Sequence, residues 1–571
     1  MAGLSPDNPS AEHGARFVDE QAARLLAGHV DELSSPARFG WLSVKHNASR
    51  TVYRGRIGSR DVYVKHFHSR RLSRRVLRRL GFSDAMVEMR FARYLASRGV
   101  PTPTPLAMMN RNGLEWLATL AVESGEQANR WHARQLGLGA LGRSAIRRAT
   151  VALADLIAGM HAAGVIHRDL HCGNVLVAGG NGKIGLVLMD LHRMSRRRRL
   201  SRRAMARNLA HLLHDRRDLA TRTDRLRFLR RYLQMIGQAG DLRRWQRMIE
   251  RFAGPHARRR YASRDRRILK SDGRYFERLK LGDGWRGHVV LASKRRMCGS
   301  CASSAVFAAS DWISVLRRPQ SLFEGDGVEV VKDSPSSLVV RRKLAIGPHV
   351  IDVFIKRTRR KLRRKRLPDC FRRARPVRAF RAGHMLLARR IATALPLAAI
   401  QRRVGPLLLD GILITEAVDA PKLNQFLNAS PPRRLPAQEA IRQLGRMLRR
   451  LHDNKFAHRD LKSDNVLVRW SPGETPEPVL VDLDGLKRCR YVTARRRCQG
   501  LMRLNVSLLE CPAVNHAGRL RMLLGYLRRS GGARVDFKPQ WRAIEAWSAR
   551  KLRRQIRSRR RRQRAARRPT Q

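Results

Sequence analysis

The feature that most constrains this chain is a long internal repeat. The segment HAAGVIHRDLHCGNVLV, starting at His161, returns as HDNKFAHRDLKSDNVLV, starting at His452, 291 positions later. The same 291 separates Lys65 in VYVKHF from Lys356 in VFIKR, and 292 separates Asp190 in VLMDL from Asp482 in VLVDL. Upstream, VKHNASRTVYR from Val44 matches VKDSPSSLVVR from Val331; downstream, RLRFLRRYL from Arg225 echoes RLRMLLGYL from Arg519. Matched segments in one order at a nearly constant offset mark a duplicated domain. With 571 residues the chain is also too long for one ordinary core. The repeat predicts a leader over 1–29, a first domain over 30–255, a linker and extension over 256–319, a second domain over 320–550 and a basic tail over 551–571.

Local patterns place the motifs. VYVK and VFIK are β-branched and aromatic runs and read as strands. Leu153, Leu156, Ile157 and Met160 recur at helical spacing just before the first HRD, as do Ile441, Leu444, Leu448 and Leu451 before the second. Each copy therefore reads as strands, a helix, more strands, a helix, a loop and further helices. The expected class is α+β, with a β-rich lobe followed by a helical lobe in each of two tandem copies.

The motifs suit phosphoryl transfer, which needs positioned phosphates, a divalent metal and an oriented acceptor hydroxyl. In H-R-D-x-x-x-x-N the Asp takes the acceptor proton and the Asn reaches a metal. These are Asp169 with Asn174 and Asp460 with Asn465. Asp190 and Asp482, on the following strand, are the candidates for holding Mg²⁺ against ATP. Lys65 and Lys356, each 104 residues before its catalytic Asp, are the candidates for the ATP phosphates. Such a Lys is commonly held by a Glu on the next helix. Glu88 is suited to that in the first copy, but no Glu occurs from Lys356 to Asp410. The matching segment there offers His384, and Asp369 lies in a loop-like Leu-Pro-Asp-Cys. This predicts a better catalyst in the first domain.

Other features depart from protein kinases. No G-x-G-x-x-G covers the phosphates; His46-Asn-Ala-Ser49 and Asp333-Ser-Pro-Ser-Ser337 stand there instead, as phosphate cradles or plain hairpin turns. Asp190-Leu-His and Asp482-Leu-Asp replace D-F-G, and no A-P-E follows. The short remainder of the first domain leaves little room for docking a peptide, which favours a small, carbohydrate or lipid-borne acceptor.

With these residues the chain resembles the bacterial lipopolysaccharide kinases, which phosphorylate heptose or Kdo sugars. In the first copy the resemblance rests on VYVKHF, VEMRFARYLASRGVPTPTPLAM, HRDLHCGNVLV, LMDLHRM and RLRFLRRYL. In the second it rests on VFIKR, AGHMLLARRIATALPLA, HRDLKSDNVLV and VDLDGLKR. The resemblance implies a protein-kinase-like bilobal fold, ATP and Mg²⁺, a glycolipid or sugar acceptor, and a cytosolic location at the membrane face.

Charge bears on partners. With 120 Lys and Arg against 45 Asp and Glu, the formal net charge is +75, a field that attracts polyanions. Arg70-Arg-Leu-Ser-Arg-Arg-Val-Leu-Arg-Arg79 has a basic amphipathic pattern, and KRTRRKLRRKRLPDCFRRAR follows Lys356 at the matching place. Docking on an anionic membrane surface and a solvated charged face both fit. Nucleic acid satisfies the same charges but is not favoured, because no recognised nucleic-acid module is present. The N-terminus lacks the layout of a secretion signal, so a cytoplasmic chain is expected. Seven Cys fit reduced thiols, and Cys298 and Cys301 form a lone CxxC with no partner pair for zinc. Three functions stay open: a lipopolysaccharide-core sugar kinase, a protein Ser/Thr kinase, and a non-catalytic scaffold binding membrane or RNA.

Overall fold

The computed structural model describes residues 15–47, 49–68, 83–111, 113–179, 184–216, 220–271, 275–292, 305–359, 373–429, 434–527 and 536–566. Contacts divide the chain into two units, with the division between Arg258 and Arg259. The basic stretch Arg70–Arg79, most of the one after Lys356, Asp369 and the Cys298–Cys301 pair lie outside the described residues.

Among its described residues the first unit has a six-stranded antiparallel sheet. Its order is Ala15–Phe17, Pro105–Arg111, Leu114–Leu120, Arg60–Phe67, Arg50–Ile57, Leu42–Asn47. Val62 and Val64 on the Lys65 strand point into a core with Leu26, Leu33, Ile57 and Trp116. The second unit's sheet repeats five of these strands in the same order: Pro396–Val404, Leu407–Glu416, His349–Thr358, Ser337–Ile346, Glu329–Ser334. It adds Trp285–Val290 and Phe276–Lys280 beyond Pro396–Val404. So the segment read from sequence as linker and extension supplies two strands, and Ala15–Phe17, within the leader, supplies one.

The helix after each Lys strand fixes the site. In the first unit it is Asp84–Ala96, capped by Ser83, whose Oγ accepts from Met86 N at 3.1 Å. Buried Glu115, on the strand Leu114–Leu120, accepts from Ser83 Oγ and from Ala85 N, both at 2.8 Å. A carboxylate at a helix start satisfies free amides and opposes the helix dipole, so this pins the helix to the sheet. The second unit's helix is Arg375–Leu387, beginning 291 residues after Asp84. Three residues past the end of each helix the chain turns through a positive φ, at Gly99 (φ 69°) and Arg390 (φ 55°), again 291 apart. The register of the repeat therefore holds through the helix and places Ala379 where the first unit has Glu88.

In the helical lobes, Gly139–Ala162 packs on Arg222–Met235, and Arg434–Asp453 packs on His516–Leu527. The second pair approaches backbone to backbone. A Cβ at Gly445 would lie 2.1 Å from Met522 O, and one at Gly525 would lie 2.5 Å from Arg442 O. Both helices bury apolar faces: Ile157 and Met160 against Tyr232 and Leu233 in one, Leu444 and Leu448 against Met522 and Leu523 in the other.

Candidate active site

In the first unit, Lys65 projects from its strand toward the helix Asp84–Ala96 and donates to Glu88 Oε1. Asp190 Oδ1 lies 3.9 Å from the same Nζ. Glu88 is buried, which alone would push its carboxyl up, but Lys65, helped by His192, holds it at about 2. His192 Nδ1 sits 3.4 Å from Glu88 Oε2. Burial opposes ionisation of Asp190 too, and Lys65 and Arg50 override it, holding that carboxyl well below its usual range. Asp190 has φ 61°, a left-handed conformation that turns the chain out of the strand Gly185–Leu188 into a short 3₁₀ turn.

The catalytic loop is held from below. His167 Nε2 donates to Met189 O at 3.1 Å, and His167 Nδ1 accepts from Asp169 N at 3.1 Å. Asn174 Nδ2 donates to Asp169 O at 3.1 Å, and Asn174 O accepts from Met189 N at 2.9 Å. A buried relay supports His167: Asn208 Nδ2 donates to His167 O at 2.7 Å, Asn208 Oδ1 accepts from His161 Nε2 at 3.1 Å, and Tyr232 Oη lies 2.7 Å from His161 Nδ1. Burial pushes His161 down to about 4, so it is neutral and accepts from the tyrosine. The Asp169 carboxylate is partly exposed, with His171 Nε2 and Arg193 NH1 each 3.9 Å away.

The second unit repeats the loop. Asp460 N donates to His458 Nδ1 at 3.2 Å, His458 Nε2 donates to Asp482 O at 3.0 Å, and Asn465 Nδ2 donates to Asp460 O at 2.7 Å. Lys462 Nζ is 4.0 Å from Asp460 Oδ2. His452 Nδ1 lies 2.9 Å from Tyr526 Oη, the counterpart of His161 and Tyr232. Asp482 also adopts positive φ, 54°.

The lysine is held differently there. Lys356 Nζ reaches Asp482 Oδ1 at 2.8 Å and Asp484 Oδ2 at 2.7 Å. Burial opposes its charge, but Asp484 and Asp482 overcome that and raise its pKa. His384 does not serve Lys356. Its ring is buried against Phe276 and Phe380, Nε2 donates to Pro396 O at 2.9 Å, and burial pushes it down to about 3. The sequence comparison set His384 against Glu88, whereas the equivalent position is Ala379. The missing carboxylate comes from the other side of the catalytic loop: Asp484 stands where the first unit has His192, both two residues after the left-handed Asp. The inference that the second site lacks a charge partner for its lysine does not hold.

Two side chains at these sites carry little signal in the sequence. Asp484 was visible only as a departure from D-F-G. Arg50, buried, donates from NH2 to Asp190 Oδ2 at 2.6 Å. Its signal was its place at the end of the turn that stands in for a glycine-rich loop.

The donors fit Mg²⁺. Asp190 and Asp482 are held ionised, and Asn174 and Asn465 stand next to them in the backbone hydrogen bonding. One carboxylate and one amide oxygen suit a hard cation that keeps waters and takes phosphate oxygens. Among the described residues no group of three or more His, Cys, Asp or Glu has the geometry of a protein-only metal site.

A β-sheet lobe bearing a lysine, joined to a helical lobe bearing HRDxxxxN and an Asp two residues past the end of a strand, defines an ATP-dependent phosphotransferase of the kinase class, here in two copies. The model of the lipopolysaccharide kinase (Kdo/WaaP) family matches residues 37–232 and 348–526, and the chain belongs to that family. Among solved structures, WaaP in complex with acyl carrier protein is 25% identical, with TM-score 0.33, covering 42% of this chain and 98% of that one. The BubR1 kinase domain is 14% identical, with TM-score 0.22, covering 27% of this chain and 46% of that one. No curated protein matches.

Proposed function

We propose that each domain, 30–255 and 320–550, transfers the γ-phosphoryl group of ATP to a hydroxyl of a lipopolysaccharide-core sugar or related glycolipid at the inner face of the membrane. The observation that carries this is the pairing, in both units, of a carboxylate-held lysine with an ionised Asp beside an HRDxxxxN loop. In the first domain Lys65, oriented by Glu88, binds the ATP phosphates, and Asn174 and Asp190 hold Mg²⁺. In the second, Lys356 with Asp484 does the former, and Asn465 and Asp482 the latter. Mg²⁺ held by these residues would supply positive charge against the charge that develops on the phosphates during transfer. Asp169 and Asp460 orient the acceptor hydroxyl and take its proton as that oxygen bonds to phosphorus and the bond to the β-phosphate oxygen breaks, releasing ADP.

The acceptor class is supported by the short segment that leads from the metal Asp to the next helix. A helix begins at Arg202, twelve residues after Asp190, and at Ala494, twelve after Asp482. That interval holds a 3₁₀ turn and a three-residue strand in each unit, too little for an activation segment and peptide platform. The membrane face is supported by charge: each basic residue near an anionic surface contributes roughly 1 kcal/mol. Among the described residues no helix is long and apolar enough to cross a membrane.

The test is calorimetric titration of ATP in Mg²⁺ and in EDTA. Asp190→Ala with Asp482→Ala is expected to remove the Mg²⁺ dependence of binding; an unchanged dependence overturns the assignment.

A further inference from the structure

The salt bridge from Arg50 crosses the first unit's cleft, and the strand pairing shows why it can. Val52 pairs directly with Lys65, so the two side chains share a face of the sheet. Arg50, two residues earlier, lies on that face, nearer the turn. Thr51, on the opposite face, is held by His46 Nδ1 at 2.9 Å and His68 Nε2 at 2.8 Å, which fixes the strand's rotation. The Arg50 guanidinium thus points to the place where a glycine-rich loop would meet phosphate. It rests on the carboxylate assigned to the metal: Oδ2 of Asp190 is taken by Arg50 at 2.6 Å, and Oδ1 faces Lys65 at 3.9 Å. Lys45 adds a third positive charge to the field at Asp190, and Glu88 and Asp169 are the other carboxylates felt by Arg50.

We propose that Arg50 is a phosphate-binding residue that shares Asp190 with the metal: its guanidinium clasps the carboxylate until nucleotide phosphates draw it away, so the first domain takes up divalent metal only together with nucleotide. A bare dication meets three cations and an occupied carboxylate. A triphosphate offers Arg50 and Lys65 equivalent oxygen partners and frees Asp190 for the ion. The second domain provides the contrast. Val339 pairs with Lys356, so Ser337 occupies the position of Arg50. The Asp482 side chain is 44% exposed, against 14% for Asp190. The two domains, alike in their loops, are built for different orders of metal and nucleotide binding.

This inference rests on the proposed assignment of Asp190 to the metal, and the experiment separates the two. In the full chain carrying Asp482→Asn, free Mn²⁺ is followed by electron paramagnetic resonance without nucleotide, and ATP binding in EDTA by calorimetry. Arg50→Ser is expected to tighten Mn²⁺ and to weaken metal-free ATP, each about tenfold or more, the order of one charged hydrogen bond. Arg50→Lys, which keeps the charge, falls between. A residue that only braces the fold would weaken both ligands together with the melting temperature, and that result overturns the proposal. Unchanged Mn²⁺ affinity in Arg50→Ser, with Mg²⁺-ATP binding still dependent on Asp190, overturns the clasp alone. A gain in Mn²⁺ affinity that survives Asp190→Asn overturns the metal site itself.

Discussion

The two units hold their lysines by carboxylates from different elements, and an exchange between them tests whether that difference is merely a change of address. In the first unit the carboxylate is Glu88 with His192 behind it; in the second, Ala379 and Asp484 occupy those positions. Burial works against the Glu88 charge, yet Lys65, helped by His192, holds the carboxyl at about 2. Breaking a buried ion pair by removing one partner costs about 3 kcal/mol or more. Glu88→Ala does this, and Lys65, already 3.9 Å from Asp190, is left to close on that carboxylate. If the whole loss falls on positioning, turnover drops about a hundredfold. Adding His192→Asp recreates the second unit's arrangement, where the carboxylate reaches the lysine at 2.7 Å. The double variant is expected to recover to within about tenfold of wild type. His192→Asp alone sets two carboxylates together and is expected to be harmful. The assay is kcat/KM for ATP-dependent phosphorylation with Asp460→Asn as background, so that only the first domain is read, with a melting curve for each variant. A double variant no better than Glu88→Ala shows that the two carboxylate positions are not interchangeable, and a Glu88→Ala protein near wild type shows that Lys65 does not need its carboxylate; either result overturns the expectation.

Stability is expected to fall below neutral pH. Burial lowers His161 and His452 to about 4 and His384 to about 3, so the unfolded chain, with ordinary histidines near 6.5, binds protons the fold refuses. Each costs up to about 1.4 kcal/mol per pH unit between 6.5 and its folded value. Glu88 acts in a lower window: its contribution is complete above 4.5 and is lost as pH falls toward 2. Melting temperatures from pH 7 to 4 check this, and a flat profile contradicts neutral buried histidines. Asn208→Ala should cost about 1–3 kcal/mol in chemical denaturation, because it leaves His167 O and His161 Nε2 unpaired in a buried place. Reversible binding to anionic vesicles should weaken as salt rises and on neutralising Arg70, Arg71, Arg74, Arg75, Arg78 and Arg79; equal sedimentation with neutral vesicles contradicts it.

Much of this architecture was legible because a repeat compares a sequence with itself. Its outlying matches meet in space: His161 opens one repeated segment and Tyr232 lies in another, and the fold sets them 2.7 Å apart beneath the catalytic loop, as it does His452 and Tyr526 at 2.9 Å. The 291 offset of the Lys strand also contained the correction to His384, since it carries Glu88 to Ala379. What it could not supply was Asp484. A charge lost on one element was replaced on another 105 residues away, and only the fold brings the two positions to one lysine. Arg50 was hidden for a similar reason. An arginine among 120 Lys and Arg residues carries no signal until strand pairing fixes its face.

In the proposed function both loops carry phosphoryl transfer to a glycolipid sugar. The direct measurement is transfer of labelled phosphate from ATP to a lipid A–core acceptor by wild type, Asp169→Asn, Asp460→Asn and the double variant, each shown to be folded, with generic protein substrates in parallel. Loss of a positioned proton acceptor costs a rate factor of about 10²–10⁴. Each single variant is predicted to keep the activity of its intact domain, and the double variant to lose transfer by that factor. A double variant that labels the glycolipid at the wild-type rate, or a wild-type protein that labels protein substrates and not the glycolipid, contradicts the account.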